Sequence, residues 1–465
     1  MERAVHDAVL VVWMWVVLNQ WLIWEMIEGG RGKPTRKRRR KAQHSGEPQP
    51  FPGLSQKPIC QECAKEEEQG KDGEEAPSKI VSGRGRPAAV DTSQQFCPAE
   101  ECLYYGWLGL GNIVANGHPS GGLWRQFYCR VCGRYFLETQ GTVFFGRRTA
   151  VPMMLLVLVA LVEGLGIRAA GRVFGLDTNT VEKWLVVAAK QMMGFAAYVM
   201  VDLELEQVQL DEIFATLGHL LEAGAGLGEI ETGSSWLWTA MDPVSKLLLV
   251  MVVGDHTLAV AQAVVHQVKR RLAAHCLPVF LTDGLAHYKL ALLTHFGRWA
   301  LVGEGAIKPR WFPVAGLIYA QVIKTVRRGR LVLVKQRVVF GSLEAVRVRL
   351  GRWGWKINTA FVERLNLSIR QHVAALGRRV LTRAQSPVGL SHQAMLFLVY
   401  YNFCLAHASL RLPLDTPQPT RGTGSPKRWQ ERTPAMAAGL TDHIWTLREV
   451  LLYRVPPVRP AQPAA

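Results

Sequence analysis

Apolar and polar positions divide this chain into blocks with different periods. Residues 8–26 read AVLVVWMWVVLNQWLIWEM, nearly all apolar and rich in Trp, and a basic run, KPTRKRRRK, follows at 33–41. The pattern predicts a helix over 1–28. An apolar stretch with a basic flank suits a membrane anchor. Asn19, Gln20 and Glu25 interrupt it, so a helix that packs on protein is preferred and membrane contact of residues 8–26 comes second. Residues 29–95 are polar, with many Pro, Gly, Glu and Lys, and read as a linker.

Helical periodicity takes over at 151–200. MLLVLVALVEGLG, IRAAGRVFGL and DTNTVEKWLVVAAKQM predict three helices, with Gly175 in the second turn and Asp177 or Thr178 able to cap the third. A short helix, a Gly-containing turn and a capped helix make a helix-turn-helix pattern. Near residue 205 the period changes to two. EQVQLDEIFATL, SSWLWTAMD and KLLLVMVVGD predict three strands, then LAVAQAVVHQVKRRLAAH a helix, LPVFLTDGLAHY a buried strand, HYKLALLTHFG a helix and INTAFVERLNLSIRQHVAALGRR a long helix. That order is the order of an RNase H-like sheet. LIYAQVIKTVRRGRLVLVKQRVVFG reads as a basic two-stranded hairpin, which leaves the fifth strand unassigned.

Composition narrows the class. The chain has 465 residues, 49% hydrophobic, enough for about three domains of ~100–200 residues. Its net charge is +18, spread along the whole length. Such an excess calls for a polyanionic partner, nucleic acid first and anionic lipid second. Arg84, Gly85, Arg86 and Pro87 look like the core of an AT-hook, which places Arg in a narrow minor groove. A solvated basic linker explains them equally well.

Of eight cysteines, six fall between 60 and 132. Cys97-x4-Cys102 and Cys129-x2-Cys132 flank aromatic and glycine residues, which suits a four-thiolate zinc ribbon over 96–150. A sheet that poor in core needs such a staple. Cys60 and Cys63 have no evident partner pair, and Cys276 and Cys404 stand alone.

Three acids stand where the predicted order would bring them together: Asp211 in the first strand, Asp283 at the end of the fourth and Glu363 on the last long helix. Their separations, 72 and 80 residues, prove nothing alone; the parallel pairing of the first and fourth strands carries the argument. Magnesium takes oxygen ligands, and three carboxylates can hold two such ions about 3.5–4 Å apart for in-line displacement at phosphorus. Asn366 shares the helix face of Glu363 and could steady the metal shell or a phosphate. Arg370 shares that face and His372 lies close by; both read as DNA-backbone or solvent contacts. Asn179, Thr180 and Lys183 would reach base edges from the recognition helix. Glu212 adjoins Asp211, and strand alternation points it to the opposite face. Asp242 and Asp255 read as turn residues.

NTAFVERLNLSIRQHVAALGRR resembles the catalytic helix of insertion-sequence transposases of the insertion-sequence-one family. VQLDEIFATL and VFLTDGLAHY resemble that family's first two acidic motifs, and 97–146 its zinc ribbon. TPAMAAGLTDHIWTLREVLL is similar to the C-terminal tail of longer members. The likeness covers roughly 96–455. It implies a DDE-type transposase with Asp211, Asp283 and Glu363 as catalytic magnesium or manganese ligands. It implies a helix-turn-helix that reads terminal inverted repeats, and a prokaryotic cytoplasm with the protein on the nucleoid. Pairing two DNA ends implies at least a homodimer.

The expected architecture is therefore multi-domain α+β. It has an apolar helix (1–28), a linker (29–95), a zinc ribbon (96–150), a helix-turn-helix (151–200), an RNase H-like catalytic domain with a mixed sheet flanked by helices (205–410) and a tail (411–465). The rival readings are a catalytically silent DNA-binding repressor derived from a transposase and a membrane-tethered nuclease.

Overall fold

A computed structural model describes residues 90–457 apart from 219–231, 302–307, 329, 378–383 and 421–423. The expectations for 1–28, for the linker to residue 89, for Cys60 and Cys63, and for the Arg84 to Pro87 tetrapeptide lie outside the described residues.

The first ordered block is a three-stranded antiparallel sheet in the order β1 (Ile113–Ala115), β2 (Gln126–Cys129), β3 (Tyr135–Leu137). Its core is small: Leu110, Ile113, Phe127 and Phe136 pack around three buried cysteines. Three helices follow, α1 (Val151–Val162), α2 (Ile167–Phe174) and α3 (Thr178–Val199). Gly175 ends α2 in the left-handed region at φ 65°, a conformation that glycine adopts without penalty. Asp177 then caps α3, its carboxylate accepting from Asn179 N at 2.9 Å.

The main sheet has six strands. In chain order they are β4 (Gln207–Gly218), β5 (Thr232–Met241), β6 (Leu248–Gly254), β7 (Val279–Thr282), β10 (Ile318–Arg327) and β11 (Arg330–Phe340); across the sheet they run β11-β10-β7-β4-β5-β6. A small separate hairpin, β8 (Gly297–Ala300) with β9 (Arg310–Pro313), lies between β7 and β10 in sequence. β4, β5 and β6 are antiparallel neighbours, while β7 is parallel to both β4 and β10. The mixed sheet is flanked by helices and is compatible with an RNase H-like fold. The unassigned fifth strand is β10, and it is also the first arm of the predicted hairpin.

Helices α4 (Leu258–Arg271), α5 (His287–His295), α6 (Leu343–Gly351), α7 (Ala360–His372) and α8 (Pro387–Val399) surround the sheet. Thr257 caps α4, and Lys269, Arg270 and Arg271 occupy its last turn, where cations favour the helix dipole. α7 is shorter than its sequence suggests. It stops at His372 because Val373 turns extended, and the His372 ring nitrogen Nδ1 lies 3.0 Å from Val162 O at the end of α1. Asn402, in the π-helical turn after α8, meets the outer edge of β6. Its side chain accepts from Leu248 N at 2.9 Å and donates to Leu248 O at 2.8 Å. The first residue of this edge strand is thereby hydrogen-bonded on its outer side.

One continuous core runs from Met154 and Trp184 of the helical block through Trp238 and Leu249 of the sheet to Phe397 of α8. The segment after residue 411 joins it. Past the hairpin β12 (Leu412–Gln418) and β13 (Lys427–Gln430), helices α9 (Pro434–Ala437) and α10 (Leu447–Leu452) bury Ala435, Leu447, Val450 and Leu451. Arg454 then reaches back to the cysteine sheet. It donates to Gln140 O (2.8 Å), Gln95 Oε1 (3.0 Å) and Phe96 O (3.3 Å), and its guanidinium lies over the rings of Phe96 and Phe136. Among the described residues no helix is long and apolar enough to cross a membrane.

Candidate functional site

The register of β4 on β7 pairs Gln207 with Val279 and Gln209 with Leu281, an offset that carries Asp211 to the level of Asp283. β7 ends at Thr282, which leaves an opening on that side of β4 beside Asp211 and Glu212, while β5 continues along the other side. Carboxylate oxygens of Asp211, Glu212 and Asp283 lie there within 4.8 Å of one another.

Glu212 joins the cluster even though strand alternation sends it to the other face. Its side chain does leave on the opposite face, where it accepts from the Tyr288 hydroxyl of α5 and lies 4.0 Å from His256 Nε2. At the strand opening, however, its carboxylate still comes within 4.8 Å of those of Asp211 and Asp283. The His256 ring packs on Trp236 and Trp238, with centroids 4.4 and 5.3 Å away.

α7 seals the other side. Asn366 donates to Asp211 Oδ2 at 2.7 Å, while its own Oδ1 is buried with no hydrogen-bond partner. Glu363 lies one turn earlier. It accepts from Thr359 Oγ1 at 2.6 Å and pairs with Lys324 Nζ of β10. Glu363 is therefore next to the cluster without belonging to it. Gln209, two residues before Asp211 and fully buried, holds the helix start: its Nε2 donates to Asn358 O (3.0 Å) and its Oε1 accepts from Val362 N (3.1 Å). Asp283 also has a local duty, since its Oδ1 accepts from Leu285 N at 2.9 Å.

The electrostatics follow from the crowding. Burial pushes the Asp211 carboxyl up to about 6, with the charges of Asp283 and Glu363 adding and the Asn366 bond opposing. Burial pushes Glu212 up to about 8, again with Asp283 and Asp211 adding and the Tyr288 bond opposing. Crowded oxygen donors that resist ionisation are a donor set for a hard divalent cation, which would relieve the repulsion.

The four cysteines Cys97, Cys102, Cys129 and Cys132 also converge, their sulfurs all within 4.8 Å. Cys97 to Cys132 is 3.5 Å and Cys102 to Cys129 is 3.9 Å. Four thiolates on a tetrahedral zinc at ~2.3 Å stand roughly 3.8 Å apart, so the spacing fits that ion. Tyr104 N and Asn112 Nδ2 donate to Cys102 and Cys129 sulfurs, as outer-sphere donors to thiolates do. Hydrogen bonding from Cys97 pulls the Cys129 thiol down to about 4, while burial pushes Cys102 up to about 12.

Of the expected DNA contacts, Asn179 and Lys183 are exposed at the start of α3 and Thr180 is half-buried, while Val181, Trp184 and Leu185 anchor the inner face. Arg370 is half-buried and donates to Leu376 O at 3.2 Å, so its guanidinium serves the turn after α7. Asp242 is a buried turn residue that accepts from Val244 N, Ser245 N and Ser245 Oγ.

No protein-family model and no curated protein sequence matches the chain. Among solved structures, the crystal structure of the Mos1 strand transfer complex is similar at 11% identity, over 50% of this chain and 80% of that one, with a TM-score of 0.15. A superposition that loose leaves the assignment to the chain's own geometry.

Proposed function

We propose that the protein is a DNA transposase of the DDE type. On this reading it cuts the ends of an insertion element and joins their 3′ ends to target DNA. The observation that carries the proposal is the meeting of Asp211, Glu212 and Asp283 within 4.8 Å at the opening between β4 and β7, with α7 bonded to Asp211 through Asn366. Asp211 and Asp283 would hold magnesium or manganese, with Glu363 as the third acid of the set. Bound there, the ions would supply charge stabilisation for in-line displacement at phosphorus. The residues supply position. Gln209 fixes the start of α7, Asn366 orients Asp211, and Lys324 neutralises Glu363 in the metal-free chain. The clustered acids favour this reading over a silent repressor, which has no use for them.

The cysteine cluster is assigned to one structural zinc. α2 and α3 serve as the helix-turn-helix, with Asn179, Thr180 and Lys183 facing terminal-repeat DNA. The protein would act as at least a dimer on paired ends in a prokaryotic nucleoid. The test is cleavage and strand transfer on a duplex carrying the sequence that borders this gene, with magnesium. Activity is expected in the parent and none in Asp283→Ala; activity that survives Asp283→Ala sinks the mechanism.

A further inference from the structure

The β10–β11 hairpin is longer than the sheet that supports it. β7 pairs only with Ile318, Tyr319, Ala320 and Gln321. The following six residues of β10, through Arg327, and their partners in β11 continue as a two-stranded ribbon about 20 Å long at ~3.3 Å per residue, packed at its foot through the buried Val322 and exposed towards its tip. The ribbon rises beside the carboxylate cluster. Its base carries Lys324, paired with Glu363, and Ile323, packed against Gly284 next to Asp283.

Two properties of the ribbon are unusual together. Between 324 and 337 there are six basic residues and no acidic one. Val326, Leu331, Val332, Leu333 and Val334 are nevertheless about half exposed, at 47–59%. A second copy is a poor occupant. Pairing β11 with its own copy would set Arg330, Lys335 and Arg337 near like charges, and the register shift at Thr325/Val326 twists the edge away from such pairing. A duplex polyanion suits both properties. The major groove, ~12 Å wide, admits a two-stranded ribbon and offers phosphates at its rims and thymine methyls within.

We propose that the β10–β11 ribbon is a DNA arm that enters the major groove of the duplex engaged at the carboxylate cluster. The proposal rests on the transposase reading. Arg327, Arg328 and Arg330 at the tip contact phosphates, and the exposed Leu and Val side chains lie against base edges.

The test measures binding of the full chain to a fluorescent 30-base-pair duplex across a salt titration, without added magnesium. Replacing Arg327, Arg328 and Arg330 together by Gln is expected to flatten the logarithmic salt slope by roughly 2–3 and weaken binding on the order of 10²-fold near 0.1 M salt. The parent chain should lose a similar share of affinity on a duplex whose major groove is filled by glucosylated hydroxymethylcytosine. An unchanged slope in the triple variant, or parent binding indifferent to the filled groove, overturns the proposal. So does a variant that keeps duplex affinity while losing self-association in sedimentation or binding to phosphatidylglycerol vesicles. A parent chain that binds no duplex at all would instead bring down the transposase reading itself.

Discussion

Glu212 gives the sharpest quantitative expectation. Its side chain is only 5% exposed, and its carboxyl is pushed up to about 8 against an ordinary value of 4.5. In protein without added magnesium or manganese, the folded chain holds this group protonated at pH 7 while the unfolded chain ionises it. Folding must then take up a proton. The cost grows from the unfolded value upward and levels off above the folded one, so stability is lost as pH rises from about 4.5 to about 8. At ~1.4 kcal/mol per unit, the penalty is about 1 kcal/mol at pH 5 and about 3 kcal/mol at pH 7. Glu212→Gln removes it and keeps an oxygen to accept from Tyr288. Urea denaturation at pH 5, 6, 7 and 8 should show the variant more stable than the parent by a margin that widens with pH. Added magnesium should shrink the margin, because a cation at the neighbouring Asp211 and Asp283 favours the ionised Glu212 of the parent and leaves the neutral amide of the variant unaffected. A margin independent of pH, or a variant less stable than the parent at pH 7, would refute the reasoning.

Gln209→Leu should cost about 2 kcal/mol of stability for two lost buried hydrogen bonds. It should lower strand cleavage by roughly 10- to 100-fold through misplaced α7, read as kcat against a thermal melt. Cys129→Ser should take bound zinc from one per chain to none in metal analysis of the purified protein. Arg454→Met should destabilise the fold by on the order of 3 kcal/mol and expose the cysteine sheet to proteolysis before the main sheet. Lys183→Gln should weaken duplex binding and reduce its salt slope by about one; an unchanged slope would remove α3 from the DNA interface.

The sequence made some parts of this molecule easy to read. Cysteine spacing found four sulfurs that do converge, and strand order found Asp211 and Asp283, because period-two patterning and parallel pairing are local and topological facts. Glu212 was hidden, since alternation places it correctly on the far face and cannot reveal that β7 stops one residue before Asp283. The partner of Glu363 was hidden too: Lys324 lies 39 positions away on a strand whose place in the sheet the pattern left unassigned. Arg370 read as a DNA-backbone or solvent contact on its helix face, and the structure has it donating to Leu376 O in the turn after α7. The tail looked like an appendage because α9 and α10 are short; their burial comes from α1, α3 and the turn after α8.

The Arg454 contact has a consequence in time. Its carbonyl acceptor on Gln140 lies 314 positions earlier. At ~5–20 residues per second, a ribosome takes roughly 15–60 s to cover that distance. Through that interval the ring faces at Phe96 and Phe136 have no guanidinium over them. A chain that stops short of Arg454 leaves that seat empty.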